Sequence, residues 1–346
     1  MNQSVTCYYE IEQFAAFRQT EDREMKKTAY VNGWILDGTP GMLPRDCALL
    51  LNGEKIEEVV PQDAVPADVE KVDLYGAFVV PGLINLETRL TKAEQNIRFE
   101  ENRARIAENL EKSPTGQLLP KTVAFWAAID EIHGGCTTVC ASQDDPAECL
   151  NLAQNETLTR NFIFPEILPP QDKSAAAYSC ISPDIPGVFF VEERGIRAAA
   201  AEQRKAEFVK RIARGRKKME KGEPIALANR AGSPYISHFD FWRELVYFAR
   251  WIGVENLKVL EMATRGNAEI SGIDGRTGTL EPGKDADFLV LRGNPVTSLT
   301  ALKHPDRVVA KGRVIRHPQY NVLTKNEELF DKTMRELLPA DIRCEI

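Results

Sequence analysis

Metal and nucleophile chemistry draws on imidazole, thiolate and carboxylate groups at ligand spacing, and this chain is poor in the first two. Its four histidines stand at 133, 238, 304 and 317, with no two at the close spacing of a ligand pair. His133 ends a helical stretch before Gly134-Gly135, His304 and His317 fall among short C-terminal strands, and His238 sits in the loop segment ISHFD. Each reads as a structural or surface histidine. The seven cysteines are odd in number and free of CxxC pairs, which fits reduced thiols in a cytoplasmic protein. Cys136 and Cys140 share one face of the β-like run CTTVC, as buried small side chains do. The basic run RKAEFVKRIARGRKKMEK, residues 204–221, carries Phe208, Ile212 and Met219 at helical spacing, so it reads as an outer helix with a solvated face. The Pro-rich patch 165–170 reads as a loop.

The chain-wide totals narrow the partners. Of 346 residues 43% are hydrophobic, enough for one large domain and a smaller one. Forty-four basic against 51 acidic residues leave a net charge of −7, which argues against a nucleic-acid or anionic-membrane surface. No stretch reaches the ~18 apolar residues of a membrane span. The opening MNQSVTCYYE lacks the basic start and apolar run of a leader, so a cytoplasmic location is expected.

The elements that must position any chemistry come in two kinds. Residues 1–26 read as an extension. From 27 to 79 the chain reads as short strands and turns: Ala29–Leu36, Cys47–Leu51, a hairpin signal at Asn52-Gly53, Lys55–Val60 and Val72–Leu74. A similar segment at 278–320 holds Phe288–Leu291 and a hairpin through Gly312, from Val308–Lys311 to Arg313–Ile315. One small sheet domain made by both chain ends follows most simply. Residues 80–277 alternate instead. Strands are expected at Phe78–Leu86, Thr137–Ala141, Phe162–Leu168, Val188–Val191 and Pro224–Ala228. Helices are expected at Thr122–Ile132, Pro146–Ala153, Ala198–Lys221, Asp240–Ile252 and Asn256–Thr264. Such alternation predicts a parallel sheet, with an α/β barrel foremost. Residues 321–346 read as a helical tail.

Two segments carry a resemblance. The first is DLYGAFVVPGLIN, residues 73–85. The second runs from 228 to 315 and includes AGSP (231–234), MATRGNAEISGI (262–273), TGTLEPGKDADFLVLRGNP (277–295) and VVAKGRVI (308–315). Both resemble the amidohydrolase superfamily, in particular its imidazolonepropionase and prolidase-like branch. The resemblance implies a TIM-like β/α barrel beside a small β-sandwich. It also implies zinc or another divalent metal at the C-terminal mouth of the barrel, activating water against a carbon–nitrogen bond, with an Asp after strand eight as the base.

This sequence departs from that pattern where the chemistry should be. The family's His-x-His falls on Glu87-Thr88-Arg89, and its strand-eight Asp falls on Arg230 in ANRAG. A guanidinium is all donor and stays charged, so it cannot ligate a cation. No metal or other cofactor is expected. With Phe162–Leu168 as strand three and Val188–Val191 as strand seven, only 19 residues (169–187) lie between them. A single βαβ unit takes about 30. Strands four to six are therefore read as missing, and the barrel as incomplete or distorted.

Glu87, Arg89, Glu166, Glu192, Arg230 and His238 form the candidate pocket, with Glu193 beside Glu192. Two arrangements stay open: opposite charges replacing the metal with salt bridges, or an anion pocket in which Arg89 and Arg230 clamp a small carboxylate or phosphate. Open strand edges predict a homodimer or a hetero-oligomer with a full-length relative. The functional expectation is a degenerate family member without metal-dependent hydrolysis, acting as a binding or regulatory homologue. The alternative is an active hydrolase of non-peptide carbon–nitrogen bonds with a rebuilt site.

Overall fold

Alternating buried and exposed residues along Lys27–Ile35 make β1 the spine of the first unit. The computed structural model describes residues 27–91, 119–146, 151, 156–160, 162–171, 177–190, 198–233, 235–320 and 328–332. On one side β1 pairs antiparallel with β2 (Arg45–Asn52), which turns at Gly53 into β3 (Lys55–Pro61). On its other side β1 pairs in parallel with β4 (Glu70–Asp73) through Thr28–Val31 and with β5 (Phe78–Pro81) through Trp34 and Ile35. A bulge with Asn32 at φ 59° separates the two halves of β1. The C-terminal strands complete this sheet, as shown below. Hydrogen bonds run through all eight strands in one continuous sheet with cores on both faces: Tyr30, Leu49, Ile56 and Phe288 in one, Ala29, Val31, Ala48 and Leu50 in the other.

The expected strand Phe78–Leu86 is two strands. β5 stays in the composite sheet, and β6 (Leu83–Thr88) begins a parallel layer. The break falls at Gly82, where a Cβ would lie 2.1 Å from the Thr137 hydroxyl oxygen, so a bulkier residue could not let the two units approach. Helix α1 (Leu119–His133) ends at Gly134-Gly135 and leads to β7 (Cys136–Ala141), parallel to β6. A single turn, α2 (Glu156–Thr159), precedes β8 (Glu166–Leu168), which pairs with β7 and is shorter than the expected Phe162–Leu168.

The next strand is not where the sequence places it. β9 is Ala177–Ser179, paired in parallel with β10 (Ile225–Leu227). Residues Val188 and Phe189, expected in a strand, lie in α3 (Ile185–Phe189). The run IPGVFF carries no polar side chain, so its pattern fits a strand and a helix alike, and the helix buries Ile185 fully. Helix α4 (Ala198–Glu220) then returns the chain to β10, with Phe208 and Ile212 buried as the spacing requires.

Beyond β10, α5 (Phe241–Tyr247) loosens into a π-turn at Phe248–Gly253, and α6 (Asn256–Glu261) into a π-turn at Met262–Gly266 that feeds α7 (Asn267–Ser271). β11 (Phe288–Leu291) rejoins β5, and β12 (Arg307–Ala310) and β13 (Arg313–Arg316) close the composite sheet as a hairpin. The five parallel strands lie in the order β8-β7-β6-β10-β9, with β6 and the end of β10 joined by the bridge Thr88↔Ala231. Among the described residues no pairing joins β8 to β9. Eight residues, 169–176, separate β8 from β9 in the chain, fewer than the 19 expected.

The layer is buried on both faces. Ile84, Leu86, Cys140, Leu168 and Ala226 pack with Ala268 and Ile273. Leu83, Val139, Ile225 and Leu227 join a larger core with Ile132, Phe208 and Trp242. That is why these strands read as continuous apolar runs. The expected helix Pro146–Ala153, the extension 1–26 and most of the tail 321–346 lie outside the described residues. Of the tail, a short helix at 328–332 is described, with Phe330 buried. No helix is long and apolar enough to cross a membrane.

Candidate functional site

In open α/β layers the carboxyl ends of the strands face the usual ligand crevice, and four of the expected site residues meet there. Glu87 lies near the end of β6, buried, with Arg89 just beyond it. Arg230 follows β10. Backbone bonds fix the two segments side by side: Arg230 N–H donates to Glu87 O at 3.0 Å, and Arg89 N–H to Ala231 O at 2.9 Å. Arg230 has φ 52°, a backbone strain that a non-glycine residue holds only where its surroundings impose it. Its Nε stands 3.2 Å from Glu87 Oε1. Arg89 has no side-chain partner among the described residues, and its Nε is buried.

His238 closes the group from the following loop, its Nε2 3.1 Å from Arg89 O. Burial pushes its pKa down to about 4, so it is neutral at physiological pH and adds no charge. Asp145, after β7, holds the end of β6 in place. Its carboxylate accepts the N–H groups of Leu90 at 3.1 Å and Thr91 at 2.9 Å, the Thr91 hydroxyl at 2.6 Å and the Ser142 N–H at 3.0 Å.

Beneath this rim lies a buried polar cluster that the sequence reading missed. Asn85 Nδ2 donates to Asn229 Oδ1 at 2.9 Å and approaches both Glu131 oxygens at 3.3 Å. Burial pushes the Glu131 carboxyl up to about 7, although the neighbouring Thr88, Asn85 and Cys136 side chains act to lower it. The Cys136 thiol is itself pushed well above its ordinary range by burial and by Glu131. The signal was available: Glu131 sits four and three residues after Ala127 and Ala128, on the apolar face of α1. A second missed residue, Asn267 at the start of α7, bonds to both β6 and β10. Leu227 N–H donates to its Oδ1 at 3.0 Å, and its Nδ2 donates to Ile84 O at 2.6 Å and Leu227 O at 2.9 Å.

The remaining candidates lie elsewhere. Glu166 begins β8 and faces the composite sheet, not Glu87. Both its oxygens take Arg276, at 2.6 and 3.1 Å, and Lys311 Nζ stands at 3.4 Å. Burial works to raise its pKa, but the Arg276 bonds and the Lys311 charge outweigh that and hold it below the usual carboxylate range. Glu192 and Glu193 fall outside the described residues.

The donor set at the rim does not fit a divalent metal. Arg89 and Arg230 offer only N–H groups and positive charge, and Glu87 is engaged by Arg230. Among the described residues no group of three or more His, Cys, Asp or Glu side chains is placed to hold a metal ion.

The architecture is thus that of a parallel α/β unit standing on a composite sheet built by both ends of the chain. Residues 29–79 match the NagA composite domain model, and residues 213–315 match the amidohydrolase family model. By these two segments the chain is similar to the amidohydrolase superfamily. Solved structures share its fold. A protein from Bifidobacterium longum assigned as a prolidase is 19% identical, with a TM-score of 0.73 over 90% of this chain and 99% of that one. The A. niger ochratoxinase is 12% identical, with a TM-score of 0.63 over 86% and 98%. A Xaa-Pro dipeptidase with bound methionine in its active site is 17% identical, with a TM-score of 0.60 over 84% and 100%. No curated protein matches the sequence.

Proposed function

We propose that this chain is a degenerate amidohydrolase homologue that does not carry out metal-dependent hydrolysis and acts instead by binding or regulation. The observation that carries this reading is the Arg230–Glu87 ion pair, 3.2 Å long, at the positions where the resemblance puts metal ligands and the catalytic Asp. An arginine there supplies positive charge in place of the cation, and it removes the base that would deprotonate a water. Arg89, beside the pair, adds a second positive charge and gives the rim an affinity for a small carboxylate or phosphate. The unit is a distorted barrel from which strands four to six are absent. Its open edges at β8 and β9 are joined in a homodimer or in a complex with a full-length relative, in the cytoplasm.

The test is the metal content of the purified protein after supply of zinc and manganese, together with hydrolysis of amide, lactam and N-acyl amino-acid substrates. The expected result is metal far below one per chain and no hydrolysis above the background rate. One tightly bound metal per chain, with turnover, would overturn the reading.

A second reading, an active hydrolase with a rebuilt site acting on carbon–nitrogen bonds, draws support from Glu131. A carboxyl with a pKa of about 7 is matched to general acid–base work at neutral pH. The reading requires that any turnover be lost in Glu131→Gln while the fold survives. It also agrees with the names of the structural neighbours, which include a dipeptidase and an ochratoxinase.

A further inference from the structure

The opposite, amino end of the parallel layer meets the composite sheet at a cleft of about 430 Å³. That volume lies within the ~300–1,000 Å³ of ligand pockets, which favour junctions between structural units. Ile163, Phe164, Pro165 and Ala310 form its apolar wall. Charged side chains line the rest, and their bonding is uneven.

Two of the lining carboxylates, Glu166 and Asp287, are engaged by hydrogen bonds, while Glu54 acts on Arg313 only across space. Both oxygens of Glu166 bond to Arg276. Asp287 accepts the Lys311 N–H at 2.8 Å on one oxygen and the Thr277 hydroxyl at 3.0 Å on the other. The cations are not matched in the same way. Among the described residues Lys311 Nζ has only the long contact, 3.4 Å, to the already occupied Glu166. Arg313 is half-buried and donates to Phe162 O at 3.3 Å, yet it makes no ion pair among the described residues. Burial lowers its pKa, and Glu54 offsets this only across space.

The hairpin turn sets these two cations beside each other. Ala310 pairs with Arg313 across a two-residue loop of Lys311 (φ 47°) and Gly312 (φ 74°), a geometry that brings both strands to a tight end. A Cβ on Gly312 would meet Gly53 O at 2.4 Å, so the turn is pressed onto the β2–β3 turn and held rigidly. Across the cleft Thr137 is almost fully buried, and its hydroxyl has no hydrogen-bond partner. Buried polar groups are rarely left so.

We infer that this cleft binds a small organic carboxylate, its anionic group held between Lys311 and Arg313 and its apolar body against Ile163 and Phe164. The site is separate from the Glu87–Arg230 rim and does not depend on the reading given for it. A neutral ligand of the same shape would leave Arg313 without an ion pair and Lys311 with only its long contact to Glu166, and a bare anion would leave the apolar wall wet.

Saturation-transfer NMR titrations with phenylacetate and with its neutral isostere phenylacetamide test the inference. Phenylacetate should bind more tightly by roughly tenfold or more, as hydrogen bonds to charged groups imply. Lys311→Gln/Arg313→Gln should abolish that preference, Arg313→Lys should keep part of it, and Arg230→Gln should leave it unchanged. Lys311→Gln alone keeps the test decisive if the double variant fails to fold, because that side chain is about half exposed. Equal binding of the two probes, no binding of phenylacetate, or a preference that survives Lys311→Gln/Arg313→Gln would overturn the inference. A preference lost in Arg230→Gln would do the same by placing the anion at the rim.

Discussion

Arg230 Nε stands 3.2 Å from Glu87 Oε1, and the two side chains are unequally buried, at 39% and 5% exposure. The asymmetry predicts an order of effects. Arg230→Gln strips a buried carboxylate of its guanidinium partner, whereas Glu87→Gln leaves a cation that water can still reach. Arg230→Gln should therefore cost about 1–3 kcal/mol and Glu87→Gln about 1 kcal/mol or less. Urea unfolding of the two single variants and the double variant measures both costs and their coupling. An equal or reversed order would show that the pair is not what holds these segments.

Glu131 sets a pH dependence whose sign follows from burial. Its folded pKa is raised from 4.5 to about 7, so between those values the folded state binds the extra proton. The contribution of Glu131 is fully present below pH 4.5 and is lost as pH rises to about 7, beyond which it is constant. Glu131→Gln should thus gain stability relative to the native protein across that window and then run parallel to it. His238 acts in the opposite direction, its pKa lowered from 6.5 to about 4, so its contribution is lost as pH falls through that range. Comparing each variant with the native chain at each pH separates the two. A flat difference between the native protein and Glu131→Gln from pH 4.5 to 7 would contradict the assignment.

What the sequence made legible divides along physical lines. The composite sheet could be read because its strands are amphipathic and bounded by turn residues such as Asn52-Gly53 and Gly312. The rim could be read because Glu87, Arg89 and Arg230 stand at motif positions, and the structure brings them together with His238. The expected strand Val188–Val191 misled because the run there is apolar, and periodicity cannot separate a buried strand from a buried helix turn. Glu166 misled because strand position alone does not say which end of the layer a side chain serves. Glu131 was missed although it interrupts the apolar face of α1, whereas Asn85 and Asn267 were invisible for another reason. Their bonds described above reach partners 40 to 183 residues away, and no local pattern marks a buried amide with such distant partners.

Asn267 joins the two strands at the centre of the parallel layer. β6 and β10 share backbone bonds only near Glu87–Arg89 and Arg230–Ala231, and lower down the Asn267 amide spans the gap. Asn267→Ala orphans one buried N–H and removes a donor from two carbonyls, which should cost about 3–5 kcal/mol. Asn267→Asp keeps the acceptor for Leu227 N–H but turns a carboxylate onto two carbonyl oxygens, so it should be at least as harmful. Chemical denaturation ranks them, and a near-neutral Asn267→Ala would mean that other contacts hold the strands.

Phe330 anchors the C-terminal segment to the same core. It is 1% exposed, lies 5.0 Å from the Phe190 ring, and the Arg243 guanidinium sits 5.1 Å from its ring centroid. Its neighbour Asp331 reaches Arg243 as well, but at 3.4 Å and with 25% exposure, while Asp240 holds the same buried guanidinium at 3.0 Å. Packing should therefore outweigh charge in this segment. Phe330→Ala should cost about 3–5 kcal/mol through the cavity it opens, and Asp331→Asn about 1 kcal/mol or less, since Asp240 continues to compensate Arg243. Limited proteolysis of the folded protein should show the same order, with cleavage near the C-terminus accelerated in Phe330→Ala and little changed in Asp331→Asn. If Asp331→Asn were the more damaging, the segment would be held by its charge on Arg243 rather than by the ring buried beneath it.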